Sequence, residues 1–233
     1  MTLGYILSRT RCLLVDFDGP ICNVFAGRPA PIVAAQLLDL IRGRLGTLPP
    51  DIAELTSNPL QILRQVADLE DDELTHAVAD ACRDAEVEAV ASATPTSGAH
   101  GVLRAAHDGG LRVVIVSNNA SQAVQTYLDL HTMDPYVDGI AARSDELAPR
   151  LLKPHPFLVR AGLAIAGASN TAAFVGDSET DIEAGRAAGV TTIGYANKPG
   201  KYQRLTTAGA AIVINTMQAL VRVLRPVINR SAT

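Results

Sequence analysis

The 233-residue sequence predicts an α/β fold: a Rossmann-like, doubly wound parallel sheet interrupted by an all-helical insertion. Three observations carry that expectation. From about residue 97 onward, short β-branched runs alternate with helical stretches. Those runs are apolar throughout, as strands covered on both faces are. One more run of the same type, Cys12–Val15, is separated from the others by residues 22–96, which carry helical periodicity and almost no strand signal.

Cys12–Val15 (CLLV) is read as the first strand. In the segment that follows, Val33, Leu37, Leu40, Ile41 and Leu45 fall on one helical face. Asn58-Pro59 pairs an N-cap with Pro at the first helical position, and Leu60, Leu63, Val66 and Ala67 continue that face. Asp71, Asp72 and Glu73 open a third helix at its dipole-favoured end, with Leu74, Val78, Ala81 and Ala85 as its apolar stripe. Strands then resume at Leu111–Val116, Val137–Ala142, Ala172–Val175, Val190–Tyr195 and Ala211–Ile214. Helices are expected from Ser121 to about Leu130, Pro156 to about Ala166, Thr180 to Ala188 with Gly189 as its stop, and Met217 to Leu224. Residues 1–21 and 97–233 are thus expected to form one core, and 22–96 a helical domain inserted into it.

Composition excludes some functions. Apolar residues make up 48% and charged residues 19%, an ordinary globular balance. Twenty Lys+Arg against 24 Asp+Glu leave a formal charge of −4, which argues against a nucleic-acid or anionic-membrane partner. Trp is absent and only nine residues are Phe or Tyr, so no base-stacking platform is visible. No run approaches a membrane span, and no signal peptide is recognisable. Cys12, Cys22 and Cys82 have neither CxxC nor metal-ligand spacing and read as reduced thiols of a cytoplasmic protein.

Four short motifs lie at strand ends or helix starts. Asp16 and Asp18, in Val15-Asp16-Phe17-Asp18-Gly19-Pro20, point the same way if the strand continues and can converge on one ligand. Two like charges there need a cation or a proton. Ser117-Asn118-Asn119 follows the next strand and offers a hydroxyl and an amide. Lys153, before Pro154-His155-Pro156, brings an ammonium to a helix start, where anions bind. Asp177 and Asp181, in Gly176-Asp177-Ser178-Glu179-Thr180-Asp181, share a helical face and suit a hard cation. Asp16, Ser117 and Asp177 all sit at the carboxyl edge of a parallel sheet, where ligands bind. Tyr195–Gly200 also follows a strand and could border the same edge.

In this order and context the motifs resemble those of the haloacid-dehalogenase-like hydrolase superfamily: DFDGP the first, Ser117 the second, Lys153 the third and GDSETD the fourth. The insertion between the first two looks like the C1-type cap of the phosphoglycolate-phosphatase-like branch. The resemblance implies a Mg²⁺-dependent phosphatase acting on a small phosphorylated metabolite. Asp16 would form an aspartyl-phosphate and Asp18 would be general acid, then base. Asp16, the Asp18 carbonyl and Asp177 would hold Mg²⁺. Ser117, Asn118 and Lys153 would bind the phosphoryl group, with Asp181, Gly19 and Gly176 in support. Asp18 argues for phosphate esters over carbon–halogen bonds, because an alkoxide needs a proton to leave and a halide does not.

The chain departs from the family pattern at two places. Position 20 is Pro where Thr or Val is usual, and position 23 is Asn where Asp is frequent in this branch. Pro20 has no N–H, so backbone donation to phosphate must come from Phe17, Asp18 or Gly19. Two other functions fit the same motifs: a phosphomutase of the same superfamily, or a phosphate- or metal-binding module without turnover. His155 reads as a loop residue fixed between two prolines.

Overall fold

The structure, a computed structural model, describes residues 1–167 and 171–228. The chain begins with α1 (Leu3–Ser8) and β1 (Cys12–Val15). A short strand, β2 (Cys22–Asn23), leads into four helices: α2 (Ala30–Leu45), α3 (Pro50–Ala53), α4 (Pro59–Ala67) and α5 (Asp72–Val90). A second short strand, β3 (Thr94–Pro95), leads out. The remainder alternates: α6 (Ala99–Asp108), β4 (Arg112–Ala120), α7 (Ser121–Leu130), β5 (Gly139–Arg143), α8 (Phe157–Ile165), β6 (Ala172–Gly176), α9 (Glu179–Ala187), β7 (Thr191–Tyr195), α10 (Lys201–Ala208), β8 (Ile212–Ile214) and α11 (Gln218–Ile228).

Six parallel strands form one sheet in the order β5-β4-β1-β6-β7-β8. The chain runs outward from β1 through β4 to β5, then crosses to β6 on the other side of β1. The strand order therefore reverses at β1, which is where an open α/β sheet places its ligand. The apolar runs have a direct explanation in the packing. Leu13 and Val15 of β1, Val113 and Ile115 of β4, and Ala173 and Val175 of β6 face one core. Leu14, Val114, Val116 and Phe174 face the other. Successive strand residues point to opposite faces, and helices cover both.

The helical segment has its own apolar centre, built from Leu37 and Ile41 of α2, Ile62, Leu63 and Val66 of α4, and Leu74, Val78 and Cys82 of α5. Asn58 and Asp71 cap α4 and α5 by accepting the Gln61 and Leu74 backbone N–H groups. The ends of the segment meet as an antiparallel ribbon, Cys22 opposite Pro95 and Asn23 opposite Thr94. The sequence reading does not anticipate this ribbon. Two-residue strands are too short for any alternation, and one of them contains a proline.

Candidate active site

The register of the sheet assembles the motifs. Val15, the last residue of β1, lies between Ile115 and Val175. Asp16 is the next residue along, and Ser117 and Asp177 stand two residues beyond those partners. The Asp16 N–H donates to the Val175 carbonyl at 2.8 Å, so its carboxylate emerges at the sheet edge. Lys153 reaches the same point from the loop before α8. Its ammonium donates to Asp16 Oδ1 at 2.6 Å and to the Val116 carbonyl at 3.1 Å, and lies 2.7 Å from Asp181 Oδ1.

The fourth motif closes as a capping box on α9. Ser178 is the N-cap, and Asp181 Oδ2 accepts from the Asp177 N–H, the Ser178 N–H and the Ser178 hydroxyl. Asp181 therefore shapes the turn that presents Asp177. Two glycines make room for it. A side chain at Gly19, whose φ is +107°, would meet the Asp177 carboxylate at 2.3 Å, and one at Gly176 would meet Asp181 Cβ at 2.3 Å.

Asp18 Oδ1 accepts the Val24 N–H at 3.0 Å. The Gly19 N–H is taken by the Cys22 carbonyl, which leaves Phe17 and Asp18 as the backbone donors of that turn. The Asn118 amide clamps the neighbouring loop, accepting the Lys153 N–H at 2.8 Å and donating to the Lys153 carbonyl at 3.1 Å. Ser117 is fully buried behind the cavity wall. Its hydroxyl donates to Asn119 Oδ1 and accepts the Asn119 N–H, both at 3.1 Å. His155 lies outside the cluster, and its Nδ1 accepts the Phe157 N–H at the start of α8.

These groups border a cavity of about 460 Å³, with Asp16, Asp18, Asn118, Asn119, Lys153 and Asp177 on the sheet side. Asn58, Leu60, Gln61 and Arg64 close it from the helical segment. Sequence reasoning missed Arg64 and Lys201, and it singled out Asn197 only as part of the Tyr195–Gly200 stretch. Asn197 Nδ2 donates to Asp177 Oδ2 at 2.8 Å, and the Lys201 ammonium pairs with the same oxygen. The Tyr195–Gly200 stretch thus borders the site, as its position after a strand allows, while Lys201 starts a helix with no motif of its own.

The donor set fits a divalent cation. One oxygen each from Asp16, Asp177 and Asp181 lies within 4.8 Å of the others. Asp181 Oδ1 is buried and takes no aligned hydrogen bond. Four carboxylates, counting Asp18, face two ammonium groups, leaving a deficit of two positive charges. Hard oxygen donors at that spacing are what Mg²⁺ or a similar ion takes.

The same crowding shifts the acids. Burial, above all, pushes Asp18 up to about 6 and lifts Asp16 and Asp177 above the usual carboxylate range, with Asp181 adding repulsion to both of the latter. Burial pulls Lys153 down, but Asp16 and Asp181 outweigh it and hold the ammonium above its ordinary value. Between the ordinary carboxylate value of 3.8 and about 6, the folded chain binds more protons than the unfolded one. Stability contributed by these groups is therefore present at the acid end and lost as pH rises through that window. In EDTA, thermal unfolding followed by circular dichroism should give a higher Tm near pH 5 than near pH 7, and a saturating divalent cation should narrow the gap. A Tm in EDTA that instead climbs between those pH values contradicts this electrostatic account.

Among the described residues, no helix is long and apolar enough to cross a membrane. No curated protein matches the chain. Solved structures do. A predicted phosphatase from Clostridium acetobutylicum superposes with a TM-score of 0.70 at 19% identity, over 91% of this chain and 97% of that one. A HAD-superfamily hydrolase, subfamily IA, variant 1, from Geobacter sulfurreducens PCA gives 0.58 at 21% identity, over 93% and 97%. A phosphonoacetaldehyde hydrolase like protein from Oleispira antarctica gives 0.65 at 17% identity, over 95% of each chain. At such identities these likenesses establish the fold. The family model described as haloacid dehalogenase-like hydrolase matches residues 49–195, a span that takes in Ser117, Lys153 and Asp177 and begins after Asp16 and Asp18. That match covers more than half of a chain whose sheet order and strand-end carboxylates agree with it, so the protein belongs to the haloacid dehalogenase-like hydrolases.

Proposed function

We propose that the protein is a Mg²⁺-dependent phosphatase that hydrolyses a small phosphate monoester through an aspartyl-phosphate on Asp16. The observation that carries this is the pairing at the end of β1. Asp16 is held by the Lys153 ammonium within a cluster that it forms with Asp177 and Asp181, while Asp18, two residues on, is raised to about 6 and lies outside that cluster. Two carboxyls in different environments suit two roles. Asp16 Oδ attacks phosphorus. Asp18 gives its proton to the departing alkoxide, then takes one from the water that hydrolyses the acyl phosphate. Lys153 binds the phosphoryl oxygens and balances their charge. Asp16, the Asp18 carbonyl and Asp177 would hold Mg²⁺, which would supply the positive charge that offsets repulsion between a carboxylate nucleophile and an anionic phosphate. Asp181 orients the loop that carries Asp177.

On this reading residues 1–21 and 97–233 are the catalytic core, and 22–96 a lid that excludes water and selects substrate. The cavity volume suits a metabolite. Three buried free cysteines agree with a reducing, cytoplasmic setting. A phosphate-release screen over metabolite phosphates, with and without EDTA, tests the proposal. Release from at least one, abolished by EDTA and restored by Mg²⁺, is expected. Absence of release, or release indifferent to chelation, contradicts it. A mutase would consume the ester without accumulating phosphate.

Arg64 faces the cavity from α4 and makes no ion pair among the described residues, whereas Lys153 is already engaged by two carboxylates. Arg64 is therefore placed to meet the part of the substrate beyond the phosphoryl group, and an acidic group there is favoured. Hydrogen bonds to charged groups contribute about 1.5–3 kcal/mol. Arg64→Ala should accordingly raise KM about 10- to 100-fold for the best substrate of the screen and leave kcat within a few-fold. A fall confined to kcat would place Arg64 elsewhere in the reaction.

A further inference from the structure

Beneath the cavity lies an ion pair that the mechanism above does not use. Glu86 of α5 is fully buried, and Arg143, at the end of β5, is 3% exposed. Isolating two charges from water costs several kcal/mol per ion unless each is well paired and hydrogen-bonded. Here they are. Glu86 Oε2 accepts from Arg143 Nη2 at 2.5 Å and from the Ala120 N–H at 2.8 Å, and Oε1 accepts from Asn119 Nδ2 at 3.1 Å. Arg143 also donates from Nε to the Asn118 carbonyl at 3.2 Å and from Nη1 to the Ala79 carbonyl at 3.3 Å.

All of those partners except Ala79, which lies on α5, fall at an irregularity in the sheet. On β4, Ser117 is opposite Ala142 and Ala120 is opposite Arg143, so Asn118 and Asn119 are looped out of register. A bulge of this kind frees backbone groups from the ladder. The freed Asn118 carbonyl and Ala120 N–H are the two that the ion pair takes. The loop thereby displays Asn118 and Asn119 to the cavity. Glu86 also fixes a polarity. A carboxylate only accepts, so the Asn119 amide must turn its NH₂ toward Glu86 and its oxygen toward the Ser117 hydroxyl.

We infer that Glu86 and Arg143 are positioning residues for phosphate binding: together they hold the Ser117–Ala120 bulge and the orientation of the Asn119 amide in the geometry that receives the phosphoryl group. The inference rests on the phosphatase reading. Glu86→Gln keeps the shape but confronts the surrounding donors with a further NH₂. Arg143→Lys keeps the charge but cannot span Glu86 and the Asn118 carbonyl with one planar fork.

The test measures orthophosphate affinity calorimetrically in Mg²⁺, kcat and KM for an aryl phosphate, Mg²⁺ affinity, and Tm, on the full chain. For Glu86→Gln we expect phosphate affinity and kcat/KM to fall at least about tenfold, with Mg²⁺ affinity within about twofold of wild type because Asp16 and Asp177 are untouched. Arg143→Lys should move the same two quantities in the same direction, and it decides the matter if Glu86→Gln does not fold. A lowered Tm with phosphate affinity and kcat/KM unchanged in the folded variants would make the pair merely structural and overturn the inference. A wild-type protein that neither binds nor releases phosphate would instead remove the phosphatase reading, and this inference with it.

Discussion

Asp16→Asn is expected to abolish phosphate release, by about 10⁴-fold or more, while leaving the fold intact. An amide cannot form the acyl phosphate, and losing a nucleophile is among the costliest changes an active site can suffer. The fold should survive because Asn has the same shape and Lys153 keeps the Val116 carbonyl and Asp181 as partners. Removing one buried carboxyl whose ionised form is disfavoured also relieves repulsion from Asp181 and Asp177, so in EDTA the variant's Tm near pH 7 should equal or exceed that of wild type. Steady-state release from an aryl phosphate in Mg²⁺, paired with thermal unfolding, checks both halves. Most of the wild-type rate in a folded variant would exclude Asp16 as nucleophile.

The second large effect belongs to Asp18→Asn, and its signature is dependence on the leaving group. General acid–base catalysis contributes roughly 10²–10⁴-fold. If Asp18 is the acid, an alkyl phosphate needs its proton to release the alkoxide and should lose that full factor. A nitrophenolate leaves without help, so formation of the phosphoenzyme should slow far less. Hydrolysis of that intermediate still lacks its base. Stopped-flow absorbance should therefore record a burst of about one nitrophenolate per enzyme, followed by a slow steady state. Equal losses for alkyl and aryl esters, with no burst, would argue against the acid–base role. The Val24 N–H that Asp18 accepts can still bond the Asn oxygen, so the turn should keep its shape.

Much of this was legible in the sequence because it is local. Cys12–Val15 reads as a strand from its own composition and is one, with both faces buried. Ser121–Leu130 runs between the expected limits. Asp16, Lys153 and Asp177 advertise themselves through neighbours that end a strand or start a helix; the sheet register brings Asp16 and Asp177 together, and Lys153 joins them from the loop before α8. What escaped depends on distant contacts or on geometry without a composition signal. Glu86 looks like one more polar residue of a long helix, and Arg143 like a strand end, yet the two pair across 57 positions. Arg64 occupies an ordinary place on α4 and acquires meaning only because α4 closes the cavity. The resemblance assigns Ser117 to the phosphoryl group, whereas the bulge carries Asn118 and Asn119 to the cavity wall and leaves the Ser117 hydroxyl buried behind them. Helices α6 and α10 begin at Gly98 and Gly200, both with positive φ and without a side-chain cap, so neither carries a recognisable start.

The proposed reaction turns on a covalent intermediate on Asp16. Its most direct test is acid quenching of Asp18→Asn during the slow phase after the burst, followed by peptide mapping by mass spectrometry. One hydroxylamine-labile phosphoryl group is expected, on Asp16, and it should disappear when Asp16→Asn is added. A phosphoryl group on another residue, or a burst of nitrophenolate with none attached to the protein, would contradict it.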